Sequence, residues 1–219
     1  MSETTTETAA IIPLTVVTRL ISGRLLPMSG AQRNTLGVLL AAGAGSRFSG
    51  PTHKLVTPMM EEPVIVHSLR ALRDAQFADI VVITGSADLS DHLSGVTTVH
   101  NPEWATGQRG SVLCAIAYAR HHLFDSVVIG LADQPFISSE SWMRVASSES
   151  PIAVATYDGV RSNPVKLHSS VWDLFENTES PADEGARTLI RLHPTLVSEV
   201  VCEGNYADID TTEDVEKWT

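Results

Sequence analysis

The segment GVLLAAGAGSRFSGPTHKL, residues 37–55, begins as an apolar run and ends in a glycine-containing loop with two basic residues. Gly43 and Gly45 allow the backbone to approach an anion closely, and Arg47 and Lys54 supply positive charge. Backbone amides and cations in this arrangement suit the phosphate oxygens of a nucleotide. The spacing differs from both G-x-x-x-x-G-K-[ST] and G-x-G-x-x-G. A flexible turn with two surface cations is the alternative interpretation.

A second segment, GLADQPFI at residues 130–137, places one acidic residue directly after an apolar run. If that run is a buried strand, an unused carboxylate at Asp133 would be costly to desolvate. Mg²⁺ takes one or two carboxylates together with nucleotide phosphates, so Asp133 is predicted to hold Mg²⁺. A turn former or helix cap is the alternative interpretation of this residue.

The segment DIDTTED, residues 208–214, combines acidic residues with the start signal of a helix. Thr211 followed by Asp214 predicts a capping box. The cap does not need Asp208 or Asp210, which leaves both as candidates for other work. The sequence alone does not fix which of these two carboxylates faces inward.

The elements that position these residues alternate between strand and helix patterns from residue 35 onward. Four runs are apolar throughout, as expected where both faces of a strand are covered: TLGVLLA, DIVVIT, DSVVIGLAD and PIAVATY. Helical patterns lie between or after them in PVIVHSLRALRDA, GSVLCAIAYARHHL and SSESWMRVAS. This order predicts a single doubly wound, mostly parallel sheet flanked by helices, with ligands at the carboxyl ends of the strands.

The second helical pattern makes predictions about individual residues. Ser111 is its predicted N-cap, and His121 and His122 are interpreted as structural residues at its C-terminal end. Cys114 is interpreted as a small core residue. The buried face is predicted to comprise Val112, Ala115, Ile116 and Ala119.

Composition and charge exclude several classes of protein. The 219 residues are 43% hydrophobic and carry a formal net charge of -11, which predicts one globular domain at residues 34–219 without general affinity for nucleic acid or anionic membrane. Two cysteines predict neither a disulfide framework nor a zinc site. Residues 1–33 are predicted to be a poorly ordered extension, with an interfacial helix or partner-docking segment as the alternative. They match neither a signal peptide nor a membrane span. The cysteine content predicts the cytoplasm as the compartment.

The loop sequence LLAAGAGSRFSGPTHKL resembles the signature of the nucleotidyltransferases that complete the molybdenum cofactor, most closely the molybdenum cofactor cytidylyltransferases. Five further segments agree with this resemblance: NPEWATGQRGSV, LADQPF, SNPVKL, PADEGARTLI and DIDTTEDV. The resemblance runs from about Leu36 onward and implies a Rossmann-like nucleotidyltransferase fold. It also implies Mg²⁺-dependent transfer of CMP from CTP to the terminal phosphate of molybdopterin, with release of pyrophosphate.

The resemblance further implies roles for individual residues. Arg47, Lys54 and Asp133 are the expected catalytic residues, because the cations balance charge on the leaving pyrophosphate and the carboxylate binds Mg²⁺. Asp210 is the expected second metal ligand, with Asp208 as the alternative. The expected nucleotide contacts are Leu40, Ala41, Ala42, Gly43, Ala44, Gly45, Arg47, Lys54, Thr84, Asn101, Gly107 and Ser111. The expected acceptor contacts are Arg109, Gln134, Asn163, Pro164 and Arg187.

Structural interpretations without a functional role remain open for three of the acceptor contacts. Asn163 and Pro164 can form an ordinary hairpin turn, and Arg187 can pair with Asp183 or Glu184 on its own helix.

Three functional alternatives remain open beside the cytidylyltransferase. A guanylyltransferase using GTP, or a nucleotidyltransferase for another phosphorylated acceptor, would use the same loop and metal. A non-catalytic nucleotide- or cofactor-binding partner of a molybdoenzyme belongs to a different class, and it would not require a metal-binding carboxylate at Asp133. The expected partners are the nucleotide, the pterin acceptor and, transiently, a recipient molybdoenzyme or its maturation factor.

Overall fold

The computed structural model describes residues 20–21, 24–25, 34–179, 181 and 183–219, so the predicted extension at 1–33 lies mostly outside the described residues. The strands are β1 (Leu20–Ile21), β2 (Arg24–Leu25), β3 (Thr35–Ala41), β4 (Pro58–Met59), β5 (Glu62–Pro63), β6 (Asp79–Thr84), β7 (Thr97–His100), β8 (Ser126–Leu131), β9 (Ile152–Tyr157), β10 (Val160–His168) and β11 (Val197–Val201). The α-helices are α1 (Val64–Asp74), α2 (Gln108–His121), α3 (Ser139–Ala146), α4 (Trp172–Asn177), α5 (Arg187–Leu192) and α6 (Thr212–Lys217).

Seven strands form the central sheet in the order β11-β9-β10-β8-β3-β6-β7. Neighbouring strands are parallel except at β10, which runs antiparallel to both β8 and β9. Two short antiparallel pairs, β1 with β2 and β4 with β5, lie outside this sheet. The prediction of a mostly parallel sheet flanked by helices is confirmed.

Apolar side chains of the sheet alternate between two cores on its opposite faces. In β3, Val38 and Leu40 belong to the core that contains α2, whereas Leu39 and Ala41 belong to the core that contains α1. Every residue of β3 is buried, which explains why its sequence is apolar from Leu36 onward. A fully buried leucine such as Leu39 contributes about 1.5–3 kcal/mol through removal of its side chain from water.

Helix α2 begins one turn earlier than predicted. Its N-cap position is Gly107, whose φ of 130° lies in a region that few other residues adopt, and Ser111 lies within the first turn. The Ser111 hydroxyl accepts a hydrogen bond from Asn101 Nδ2 at 3.1 Å, so it is a buried contact point and not a cap. The predicted buried face is confirmed at Val112, Ala115, Ile116 and Ala119. Among the described residues, no helix combines the length and the apolar character needed to cross a membrane.

Strand β10 was not predicted, and it changes the interpretation of Asn163 and Pro164. The hairpin turn lies earlier, at Asp158 and Gly159, which have φ values of 49° and 80°. Asn163 and Pro164 therefore lie inside β10, at a register shift relative to β9. A proline fits there because the hydrogen-bonded ladder is already interrupted. Since β10 is antiparallel, its first half lies at the edge where β8 and β9 end.

Candidate active site

The loop after β3 is fixed by contacts to its carbonyl oxygens. The Gly43 oxygen accepts hydrogen bonds from His53 Nε2 at 3.0 Å and from Ser86 Oγ at 2.7 Å. His53 Nδ1 accepts from the Leu55 amide at 3.2 Å, which makes Nε2 the protonated nitrogen. The Ala42 oxygen accepts from the Ser86 amide at 3.1 Å. These carbonyl oxygens are thus already hydrogen-bonded within the protein, so they do not face an anion that binds near the loop.

His53 was missed by the sequence predictions. Its position could have indicated a role, because His53 directly precedes Lys54. The glycines of this loop are flexible, so a side chain from elsewhere is needed to hold the loop in one conformation.

An ion network lies beside this loop. Lys54 is only 8% exposed, and its Nζ contacts Asp133 Oδ2 at 2.5 Å and Asp210 Oδ1 at 2.9 Å. The more exposed Arg47 contacts Asp210 Oδ2 at 2.9 Å. Burial alone would lower the pKa of Lys54, but attraction and hydrogen bonds from the two carboxylates raise it above its ordinary value. Lys54 is therefore a charged residue held between two acids.

Separate elements deliver the two acids to this network. Asp133 follows the end of β8, and its carbonyl oxygen accepts from the Ile209 amide at 2.8 Å. Ile209 is fully buried, which fixes the segment that carries Asp210. The predicted capping box of Thr211 and Asp214 is confirmed, and the Asp214 carboxylate also accepts from the Asp210 amide at 3.1 Å. The cap thus holds Asp210 in place by its backbone.

The network lines a cavity of about 210 Å³, here called the smaller cavity. Its lining includes eight of the predicted residues: Leu40, Ala41, Gly43, Gly45, Arg47, Lys54, Asp133 and Asp210. Ser46 and Leu55 also line it and were not predicted. The glycine loop, the two cations and the two acids therefore line one cavity.

A second cavity of about 430 Å³, the larger cavity, lies at the same edge of the sheet. Of the predicted residues, Gln134, Asn163, Arg187 and Asp208 line it. Its apolar lining comes from β8, β9, β10, α2 and α5: Val112, Ile129, Leu131, Val154, Val165 and Ile190. An apolar lining with a few fixed polar groups is typical of a site for a small organic molecule.

Gln134 is the centre of the polar contacts of the larger cavity. It is 3% exposed, and its Nε2 donates to Ser162 Oγ at 3.3 Å and to the Tyr206 oxygen at 3.1 Å. Its Oε1 accepts from Asn163 Nδ2 at 3.0 Å. These contacts fix both amide side chains at the cavity wall.

Three arginines line the larger cavity, and they differ in their partners. Arg161 pairs with Glu199 at 2.7 Å, and Arg191 pairs with Glu184 at 3.4 Å. Glu184 thus pairs with Arg191, and the alternative ion pair between Glu184 and Arg187 is not formed, although the charge of Arg187 still contributes to lowering the pKa of Glu184. For Arg187 no carboxylate oxygen lies within 4 Å among the described residues.

Asp208 and Asp210 lie in different cavities. Asp210 joins Asp133 and Lys54 in the smaller cavity, and Asp208 lines the larger one. Asp208 is exposed to solvent, but neighbouring protein atoms displace part of its water. This loss of water and the negative charges of Asp133 and Asp210 raise its pKa, against the opposing effects of the Gln134 side chain and Lys54. Asp210 shares Lys54 and the smaller cavity with Asp133, whereas Asp208 lines the larger cavity and is still close enough to Asp133 to feel its charge.

Several predicted nucleotide contacts lie outside the lining of both cavities: Ala42, Ala44, Thr84, Asn101, Gly107 and Ser111. Asn101 is 2% exposed, its side chain donates to Ser111 and its amide donates to the Thr84 oxygen at 2.9 Å. These hydrogen bonds join β6 to the start of α2, so these residues stabilise the framework of the site and do not line either cavity.

Two predicted acceptor contacts are also placed differently from expectation. Arg109 donates to the Phe175 oxygen at 2.6 Å and the Glu176 oxygen at 3.2 Å, with its guanidinium 4.5 Å from the Phe175 ring centroid. It thereby satisfies carbonyls at the end of α4, where positive charge is favourable. Pro164 occupies the register shift of β10 and does not line the larger cavity.

Solved structures share this fold. Rv0371c from Mycobacterium tuberculosis H37Rv superposes with a TM-score of 0.72 at 24% identity, covering 85% of this chain and 97% of that one. The same protein has been crystallised in complex with manganese. The inositol-1-phosphate CTP transferase from T. maritima superposes with a TM-score of 0.68 at 16% identity, covering 85% and 93% of the two chains. The fold is therefore the Rossmann-like fold of nucleotidyltransferases.

Sequence comparison identifies the family. The bifunctional protein GlmU of Francisella philomiragia subsp. philomiragia is 32% identical over 145 residues, which are 63% of this chain and 30% of that protein. The chain thus spans less than a third of the length of this curated relative. The model of the MobA-like NTP transferase domain matches residues 37–199. This match covers most of the sequence, and the chain belongs to the MobA-like NTP transferase domain family.

Proposed function

We propose that this protein transfers a cytidylyl group from CTP to the terminal phosphate of a molybdopterin-type acceptor and releases pyrophosphate. The observation that carries the proposal is the smaller cavity, where a glycine loop, Lys54 and the carboxylates of Asp133 and Asp210 meet beside a larger cavity. Membership of an NTP transferase family supports the reaction class. The choice of CTP and of the pterin acceptor rests on the resemblance of the loop and the five further segments.

The chemical step requires little acid–base catalysis. An oxygen of the acceptor phosphate attacks the α-phosphorus of CTP, the bond from that phosphorus to the β-phosphate oxygen breaks, and pyrophosphate leaves with the electron pair. The nucleophile is already an anion, so the task of the protein is positioning and charge stabilisation. Lys54 and Arg47 line the smaller cavity, and their proposed role is to offset the negative charge that develops on the leaving group.

Asp133 and Asp210 fit a divalent cation. Their oxygens already flank one cationic nitrogen, Lys54 Nζ, at 2.5 and 2.9 Å. No group of three or more His, Cys, Asp or Glu side chains that could hold a metal occurs among the described residues. Two carboxylates are the donor set that Mg²⁺ uses when phosphates complete its coordination. When bound here, Mg²⁺ would neutralise phosphate charge and polarise the α-phosphate.

The larger cavity is the proposed acceptor site. Its volume of about 430 Å³ suits a small organic molecule, and Arg187 can bind a phosphate because no carboxylate within 4 Å competes for it among the described residues. Gln134 and Asn163 present fixed amides to the rest of the acceptor. The product would pass to a recipient molybdoenzyme or its maturation factor.

A second candidate is transfer to a different phosphorylated acceptor. The inositol-1-phosphate CTP transferase of T. maritima shares the fold, and its name joins CTP to an acceptor of a different kind. A guanylyltransferase acting on the pterin acceptor would use the same smaller cavity.

The experiment is to measure pyrophosphate release from CTP and from GTP, each with Mg²⁺ and either molybdopterin or inositol 1-phosphate. Asp133→Ala serves as the blank. We expect pyrophosphate release only in the mixture that contains both CTP and molybdopterin. Release from GTP would assign GTP as the nucleotide substrate, and release with inositol 1-phosphate would assign a different acceptor. No release in any mixture would favour a non-catalytic binding partner.

A further inference from the structure

Asp208 differs from the neighbouring acids in the direction it faces. Between Asp208 and Asp210 lies Ile209, which is fully buried and donates its amide hydrogen to the Asp133 oxygen at 2.8 Å. This anchor separates the two carboxylates: Asp210 contacts Lys54, while Asp208 lines the larger cavity beside Gln134. Asp208 is therefore not part of the ion network, although it is only two residues away.

The larger cavity contains two carboxylates, and only one has its charge balanced by an ion pair. Glu184 accepts a hydrogen bond from Thr188 and pairs with Arg191, and these contacts lower its pKa. Asp208 has no cationic nitrogen within 4 Å among the described residues. Asp208 is exposed to solvent and lies within reach of a hydrogen bond from the Gln134 side chain. A carboxylate accepts hydrogen bonds at two oxygens, so a ligand with N–H donors would replace water at Asp208.

The surroundings of Asp208 are already fixed. The Gln134 side chain is held by Ser162, Tyr206 and Asn163, so it cannot turn away to fill the cavity. Apolar residues of β8 and β9, including Leu131 and Val154, line the same space and suit a flat ring. The cavity thus offers a negative group and an apolar surface for one ligand, with Arg187 available for an anionic group.

We propose that Asp208 is a specificity residue for the acceptor, accepting two N–H hydrogen bonds from the amidine-type edge of a ring, an amino group beside a ring N–H. The 2-amino-4-oxo edge of a pterin has this chemistry, and a carboxylate binds it in a bidentate manner. The proposal rests on the proposed function, which places the acceptor in the larger cavity. In this proposal Asp208 binds the acceptor. It is not the second metal ligand, the role for which it was the alternative to Asp210.

The test uses calorimetric titration of pterin and of 4-hydroxypteridine, which lacks the amino group, against the wild-type chain, Asp208→Asn and Asp210→Asn. We expect the wild type to prefer pterin, and Asp208→Asn to lose about ten-fold in pterin affinity together with that preference, because a charged bidentate acceptor is lost. Asp210→Asn should change pterin affinity less than about two-fold. Asparagine is similar in size to aspartate, so the fold should be retained. Thermal unfolding of each variant checks this.

A second titration, with Mn²⁺ and CTP, separates the two acids. Asp210→Asn should weaken Mn²⁺ binding in the presence of CTP by about ten-fold or more, and Asp208→Asn should leave it unchanged. Equal losses in both variants would make Asp208 a metal ligand and overturn the proposal. An absence of pterin binding to the wild type would also overturn it.

Guanine carries the same edge, so GTP is titrated against the same variants. A loss of GTP affinity in Asp208→Asn that matches the loss for pterin would assign the edge to the nucleotide and overturn the acceptor assignment. Pterin binding that depends on Asp208, without pyrophosphate release from CTP and molybdopterin, would support the inference while rejecting the proposed function. The two failures are therefore distinguishable.

Discussion

The smaller and larger cavities lie side by side at the carboxyl edge of one sheet but are built on different principles. In the smaller cavity, Lys54 and Arg47 are paired with Asp133 and Asp210, so charge is balanced before any ligand arrives. In the larger cavity, neutral amides are fixed to one another, while Arg187 has no acidic partner within 4 Å among the described residues. The first arrangement suits a highly charged ligand common to many reactions, and the second suits recognition of one acceptor.

The largest effect should come from Asp133→Ala in the smaller cavity. Removal of this carboxylate should reduce pyrophosphate release by about 100- to 1000-fold, because metal and phosphate charge would lose a fixed partner. The fold should persist, since Lys54 keeps its contact with Asp210. The measurement is turnover beside thermal unfolding. Asp173→Ala, which removes an exposed carboxylate of α4 that lines neither cavity, is the control. Undiminished turnover would remove Asp133 from the mechanism.

Lys54→Met should change two measurements in opposite directions. Turnover should fall about 100-fold, while Mn²⁺ affinity without nucleotide should rise about ten-fold, because a competing unit charge 2.5–2.9 Å from the two carboxylates is removed. Electron paramagnetic resonance of free Mn²⁺ measures the affinity. Lys54→Arg, which retains the charge, should leave Mn²⁺ binding weak. Equal Mn²⁺ affinity in wild type and Lys54→Met would show that the lysine does not compete.

Arg187→Ala should affect only the larger cavity. The KM for the acceptor should rise about ten-fold with the KM for nucleotide within two-fold, since a phosphate contact in the ground state would be lost. The matched control is Arg161→Ala, which removes an arginine from the same cavity that already pairs with Glu199. Similar kinetics for the two variants would place the acceptor phosphate elsewhere.

Thr211→Ala should give the smallest effect on chemistry and a clear effect on stability. Loss of the N-cap should cost about 1 kcal/mol and lower Tm by about 2–4 °C. Activity should fall only slightly, because Asp214 still accepts from the Asp210 amide. Thr212→Ala, at the first position inside α6, is the control. A Tm equal to that of the wild type would mean that the cap contributes nothing to folding.

The smaller cavity could be predicted from sequence because its chemistry is local. The glycines, Arg47 and Lys54 share one segment, and Asp133 directly follows an apolar run. The four apolar runs predicted as strands also match β3, β6, β8 and β9. Both results follow from burial, which marks strands and makes an isolated acid conspicuous.

The larger cavity could not be predicted in the same way. It depends on the direction of β10, whose polar residues and Pro164 obscure a strand pattern, although the Asp158–Gly159 pair was an available hairpin signal. It also depends on Ile209, because only that anchor determines which carboxylate enters which cavity. Hydrogen-bond register and backbone anchoring between distant segments leave no pattern within either segment.

The bridge made by Lys54 also has a consequence for folding. Lys54 lies 79 positions from Asp133 and 156 positions from Asp210, so the bridge closes very long loops of chain. Contacts of this separation form slowly, because the entropy of loop closure is lost before they contribute stability. During refolding, the capacity to bind nucleotide should therefore return after helical structure has formed. Ligand binding thus reports completion of the whole sheet and not the folding of the loop that carries the glycines.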